Sequence, residues 1–300
     1  MAFSLPSPLQ RQLESLAADL LQPPQGPQID FAAPAGEPAL VPAHSVSWRV
    51  FKNPITLFIG GVAAVLLELA EPRVRHGVWD NTSFRTDPMA RLRRTGLAAM
   101  VTVYGAESQA RAMIEGVNRL HERVSGTTSS GETYRASDPD LLTWVQATAS
   151  FGVLEAYAAY AAPVSPADRD LYYSEAAPVA ALYGAAGAPA SQAELHALFR
   201  RMRPHLEPSQ TILDFLEIMS GLPALPAAAR SLQGLLLRAA VDILPHGLAA
   251  HLGLQARSLR SWEKPLVKAV ATSADRLILR RSPAVQSCRR LGLPDDYLYR

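Results

Sequence analysis

The most apolar stretch of the chain runs from about Ile55 to Leu67. It is broken only by Thr56, Gly60 and Gly61, with Pro54 before it and Pro72 after it. Proline in a first turn and again just past the last turn brackets a helix over about Pro54 to Glu71. A helix that is apolar on nearly every side has to be enclosed by other structure. The run falls short of the roughly 20 residues that cross a bilayer, so it reads as a buried helix and no transmembrane segment is expected.

The rest of the chain has the means to bury it. Of its 300 residues 48% are hydrophobic and 19% charged, which excludes wholesale disorder. The 29 Lys and Arg balance 27 Asp and Glu, with no block of like charge, so nucleic acid is not an expected partner. One cysteine, Cys288, excludes an intramolecular disulfide, a Cys-based zinc site and an iron–sulfur cluster. It fits a cytoplasmic location, as does a start in which no basic segment leads into an apolar one.

Helical periodicity continues almost throughout. An amphipathic helix is expected over about 7–21, followed at 22–47 by an arm rich in Pro, Gly and Gln that wraps the domain or stays loose. Further helices are expected at about 87–104, 107–125, 139–162, 166–184, 191–203, 209–220, 226–243 and 257–280. Asp138-Pro139 and Ser165-Pro166 are N-cap and first-turn pairs, and Ser191 with Glu194 fits a capping box. No alternating run is long enough for a sheet. These features predict an all-α fold: residues 1–47 as helix and arm, and residues 48–300 as a single multi-helix domain.

Within this frame a few side chains could carry chemistry. In the helix at 107–125 an apolar stripe of Ala110, Met113, Ile114, Val117, Leu120 and Val124 has His121 in phase with it, pointing inward. An inward histidine is either a core imidazole donating to a carbonyl or a metal or haem ligand. In the helix at 87–104, Arg91 and Thr95 stack four residues apart on the shoulder of an apolar face. They either serve an anion, a haem propionate or bound oxygen, or are a solvated arginine and a threonine bonded back to its own helix. Gln146 lies along the edge of the stripe formed by Leu142, Val145 and Ala149, among small residues. Gly60-Gly61 lacks the flanks of a phosphate loop and suits close packing against another backbone or a flat cofactor. The chain has no HExxH, Gly-x-Ser-x-Gly or nucleotide fingerprint.

Several segments in order now form a recognisable set: Ser47-Trp48-Arg49, Gly60 to Pro72, Thr82-Ser83-Phe84 with Asp87-Pro88, Arg91 to Thr95, Asn118 to Gly126, Tyr134-Arg135-Ala136 with Asp138-Pro139, and Leu142 to Thr148. Over about Trp48 to Gly184 the chain resembles the oxygenase family of latex clearing protein (rubber oxygenase) and the mpaB-type oxygenases. That resemblance implies a mostly helical fold holding haem b in a hydrophobic cavity, with dioxygen as co-substrate for cleaving carbon–carbon double bonds of isoprenoids. It implies that His121, in a His-x-x-Val motif, is the axial iron ligand, with Arg91 and Thr95 beside the haem and the Gly60-Gly61 pair allowing close approach. Gln146 stands where many relatives have histidine, and so do Glu71 or Asn81; glutamine can hydrogen-bond a ligand but not shuttle protons as imidazole can. The expected function is a haem-b-dependent oxygenase of an apolar, isoprenoid-like small molecule, with Arg91, Thr95 and Gln146 as catalytic residues. The rival is a non-catalytic all-α binding protein for an apolar ligand. From about Gln192 onward no chemistry is expected, and Arg280-Arg281 and Arg289-Arg290 are expected to face solvent.

Overall fold

A computed structural model describes residues 29–223 and 230–300, together with Phe3, Gln10 and Glu14. The helix expected over 7–21 therefore lies, apart from Gln10 and Glu14, outside the described residues. The fold is all-α. Its helices in chain order are α1 (Val46–Phe51), α2 (Pro54–Ala70), α3 (Pro72–Trp79), α4 (Pro88–Tyr104), α5 (Glu107–His121), α6 (Pro139–Tyr160) and α7 (Pro166–Leu182). These are followed by α8 (Gln192–Met202), α9 (Gln210–Gly221), α10 (Arg230–Asp242), α11 (Leu248–His251), α12 (Lys264–Arg276) and α13 (Pro283–Arg290).

Side-chain caps set most of the starts. Asn53 accepts from the backbone N–H of Ile55 at 3.1 Å and of Thr56 at 3.2 Å, and Pro54 fills the first turn of α2. The same Asn53 donates through Nδ2 to the carbonyl of Ala271 on α12 at 2.9 Å, so the cap also anchors a distant helix. Asp138, Ser165 and Ser191 cap α6, α7 and α8 as their sequence signals predict.

The apolar helix α2 lies at the centre, packed lengthwise on α6. Their closest approach is glycine on glycine. A Cβ on Gly60 would sit 2.5 Å from the carbonyl oxygen of Gly152, far inside van der Waals contact. A side chain at either position would drive the backbones apart, and interiors this dense relax only partly. Gly60 thus serves helix contact, not the wall of a cofactor site. Trp144, fully buried on α6, donates through Nε1 to the carbonyl of Leu67 on α2 at 3.3 Å and holds the same seam about two turns on. Around it pack Leu195 and Leu198 of α8, Phe215 and Met219 of α9, and Leu236 and Ala240 of α10. The C-terminal third completes the core, and within it Val267 and Ala271 of α12 are fully buried.

Several expectations are corrected. The helix expected over 107–125 ends at His121, and residues 125–135 form a small antiparallel hairpin, β1 (Ser125–Thr127) with β2 (Thr133–Arg135). Its strands are three residues each, too short for alternation to register in a sequence. Leu120, assigned to the buried stripe, is 62% exposed, because the helix stops one residue later and the chain turns away. The segment after Pro72 is helix α3, started by Glu71, whose carboxylate accepts from the N–H of Val74 at 2.8 Å and pairs with Arg73 at 2.7 Å. Arg290 does not face solvent. It is buried and donates to the carbonyls of Phe31, Tyr104 and Glu37 at 2.8, 2.8 and 2.9 Å, clasping the arm over residues 29–45 to the body.

Among the described residues no single helix is long and apolar enough to cross a membrane; α2 and α3 pass that test only together, across a 112° bend. The glycine seam predicts that Gly60→Ala lowers the thermal midpoint by several degrees, from about 1–3 kcal/mol of overpacking. Gly61→Ala, with nothing within 4 Å of its added Cβ, leaves the midpoint unchanged or raises it. Circular dichroism melts compare the two, and equal losses would contradict the glycine seam.

Candidate functional site

Close contacts join α2 to α6 and α4 to α5, but do not join one pair closely to the other. The faces between them are incompletely covered. On α2, beyond its first two residues, Leu57, Phe58, Val65 and Glu68 are only partly buried and Gly61 is exposed at mid-helix, while the rest is buried. Their spacing of three and four residues puts them on one face. Arg91, Leu92 and Ala99 on α4, Met113, Val117 and His121 on α5, and Val145, Gln146 and Ala149 on α6 are partly buried at the same helical spacing. From these partly covered, mostly apolar faces, and from the mutual electrostatics of Glu68, Arg91 and His121, we infer a crevice between the two helix pairs.

Three titratable groups meet in it. Glu68 comes from the last turn of α2. Burial raises its carboxyl to about 7, against the opposing pull of the Arg91 guanidinium and the Thr148 hydroxyl. Arg91, from the first turn of α4, has its own pKa lowered by burial, with the Glu68 charge working the other way. His121, the last residue of α5, is lowered by burial and by the Arg91 charge, so its imidazole is neutral at pH 7. Its Nδ1 is buried and has no hydrogen-bond partner. Of the two readings open for this histidine, the core imidazole bonded to a carbonyl does not describe that nitrogen.

The remaining expected site residues are scattered more widely. Thr95, one turn after Arg91, is exposed at the rim. Gln146 lies partly buried on the α6 wall. Gly61 opens towards empty space, while Gly60 is closed off by Gly152. Asn81 is exposed and donates to the Tyr134 hydroxyl at 3.1 Å, tying the hairpin to α3. Glu71 is the cap of α3 and is fully engaged there. Both are structural in this chain. Glu68 is the residue that sequence reasoning missed. A lone carboxylate within an otherwise apolar run is itself a signal, because such a group is costly to bury without a partner.

Among the described residues no three His, Cys, Asp or Glu are grouped to hold a metal by themselves. What the crevice offers is one neutral imidazole with a buried unpaired nitrogen, a cation, a carboxyl near neutrality and an open glycine. This is an all-α protein with a polar trio set in an apolar interhelical cleft. A family model described as ER-bound oxygenase mpaB/B'/Rubber oxygenase, catalytic domain, matches residues 48–274. The chain belongs to this oxygenase family, and the match runs well beyond the segment over which the resemblance was legible. Two mycobacterial relatives, Uncharacterized protein Mb2261 of Mycobacterium bovis and Uncharacterized protein Rv2237 of Mycobacterium tuberculosis, are each 34% identical over 119 residues. That stretch is 38% of this chain and 46% of each relative, so the match spans less than half of their length. No solved structure matches.

The raised Glu68 carboxyl has a consequence for stability. The unfolded chain releases this proton near the ordinary 4.5, the folded protein only near 7. Between those values the folded state binds more protons, so this group makes stability fall as pH rises. Glu68→Gln removes that slope. The melting temperature of the variant minus that of the parent should therefore be larger at pH 8 than at pH 5. Equal differences at both pH values would show that the carboxyl titrates normally.

Proposed function

We propose that the crevice holds haem b and that the protein is a haem-dependent oxygenase of an apolar, isoprenoid-like small molecule. The observation that carries this reading is the buried, unpartnered Nδ1 of a neutral His121. A neutral imidazole is the form that ligates iron. The open face beside Gly61 supports it further, because a flat group needs a helix wall without a side chain.

His121 and Arg91 would hold the group, through the imidazole and through a charge facing a propionate. When bound, the haem supplies the iron centre at which dioxygen is activated. The other roles belong to this chain's own residues. Leu57, Phe58, Val65, Leu92 and Val145 exclude water from the cleft and offer an apolar substrate a matching surface. Glu68, with its carboxyl near 7, holds a proton at a carboxylate oxygen or gives it up close to neutral pH. Arg91 stays charged and steadies negative charge developing beside it. Thr95 donates a hydrogen bond at the rim. Gln146 orients a polar substrate atom without moving a proton.

The test is a visible spectrum of the purified full chain produced with iron and a haem precursor supplied. The parent should show a Soret band, and His121→Ala should retain about tenfold less haem or lower still. A parent without a Soret band, or a variant that keeps the full band, overturns the haem reading. A colourless parent that binds terpenoids would favour the non-catalytic binding protein.

A further inference from the structure

On the other side of α6 lies a cavity that the oxygenase reading does not use. Its volume is about 530 Å³, within the roughly 300–1,000 Å³ of small-molecule sites. It is lined from α6, α7, α8 and the turn between α10 and α11. Glu155, one of its lining residues, follows Gln146 by nine positions, about two and a half turns. The cavity therefore opens from the face of α6 turned away from the crevice.

Its inner surface is apolar and aromatic. Phe151 and Phe199 stand 5.1 Å apart, centroid to centroid, beside the buried Leu195 and Leu248. Its charge is unbalanced. Three guanidinium groups line it, those of Arg169, Arg200 and Arg203, against the single carboxylate of Glu155. Arg169 is already paired with Glu155. Arg200 and Arg203 are exposed at the mouth, and among the described residues neither has an ion-pair partner. Their stems are long enough to bring the charged ends over an apolar floor.

A third observation points to a ligand. Tyr173 lines the cavity, is 1% exposed, and its buried hydroxyl has no hydrogen-bond partner. A buried hydroxyl left unpaired costs about 1–3 kcal/mol, and natural interiors rarely leave one so without cause. Burial, helped by the neighbouring Tyr172 and Glu155, keeps this phenol protonated, so it is a donor in want of an oxygen acceptor.

We propose that this cavity binds a small aromatic or branched-chain carboxylate. Its apolar body rests on Phe151 and Phe199, and its carboxylate oxygens are shared by the Arg200–Arg203 pair and the Tyr173 hydroxyl. Guanidinium and phenol donors together suit the two oxygens of one carboxylate. The aromatic floor adds the burial that an inorganic anion cannot provide.

Isothermal titration calorimetry on the full chain tests this with 4-phenylbutyrate, its neutral counterpart 4-phenylbutan-1-ol, and inorganic phosphate. The carboxylate should bind at least about tenfold more tightly than the alcohol or phosphate. Arg200→Gln combined with Arg203→Gln, both at exposed positions, should weaken it by about tenfold or more. Tyr173→Phe should weaken it by about threefold or more while the melting temperature holds or rises. His121→Ala should bind it as the parent does, which separates this cavity from the crevice. Absence of binding at about 10 mM, equal binding of the alcohol or phosphate, or variants at Arg200, Arg203 or Tyr173 that bind like the parent would each overturn the proposal. So would loss of binding in His121→Ala.

Discussion

The backbone contact between Gly60 and Gly152 is the constraint on which the rest of the molecule depends. Two helices that touch backbone to backbone fix one another's rotation as well as their distance. Once α2 and α6 are locked this way, the remaining faces of each are assigned. One side of α2 receives α9, α10 and α12, and Asn53 ties its start to α12. The other side, carrying Gly61, Val65 and Glu68, is left towards α4 and α5. The adjacent glycines of one dipeptide therefore do opposite jobs: Gly60 closes a seam and Gly61 keeps a surface open. A side chain at Gly60 has no room, whereas one at Gly61 would project into open space.

The electrostatics of the crevice follow from its depth. Glu68, Arg91 and His121 all lose hydration, and for each of them burial is the larger effect. It raises the acid and lowers the two bases. Between Glu68 and Arg91 the mutual charges oppose this only in part, and at His121 the Arg91 charge adds to it. The ordinary ion pair of a surface carboxylate and arginine is replaced by a carboxyl poised near neutrality beside a guanidinium that stays charged. That guanidinium in turn disfavours a charged His121. Its surroundings thus favour the neutral imidazole. On the far side of α6 the same logic has another outcome. There Tyr173 is buried without a partner, and the uncompensated charges stand at the mouth instead of in the floor.

Much of this was legible in the sequence, for identifiable reasons. Helix starts were marked by caps whose chemistry is local: Asp138, Ser165 and Ser191 act within three residues of themselves. The inward phase of His121 followed from periodicity, and the ordered motifs from Trp48 to Gly184 pointed to the family. What was hidden depends on contacts distant in sequence. Arg290 reads as surface until its three carbonyl partners, on the arm and on α4, are brought round it. The exposed Leu120 and the hairpin at 125–135 reflect where a helix stops, and α5 has no strong terminator at its end. The departures at Glu71 and Asn81 resolve into a helix cap and a hairpin tether, roles visible only once α3 exists. Glu68 was masked by the apolar residues around it, although its isolation among them was the clue.

Under the proposed function, the flat cofactor lies against the surface left open by Gly61. The most direct measurement is haem titration of the apoprotein, parent against Gly61→Phe, followed by the Soret absorbance, with a thermal melt of each apoprotein. The account predicts that the phenyl group occupies the crevice without disturbing the glycine seam. The apoprotein midpoints should then agree within about 2 °C, while haem uptake falls by about tenfold or more. Equal uptake by the two proteins, or uptake by neither, would contradict it.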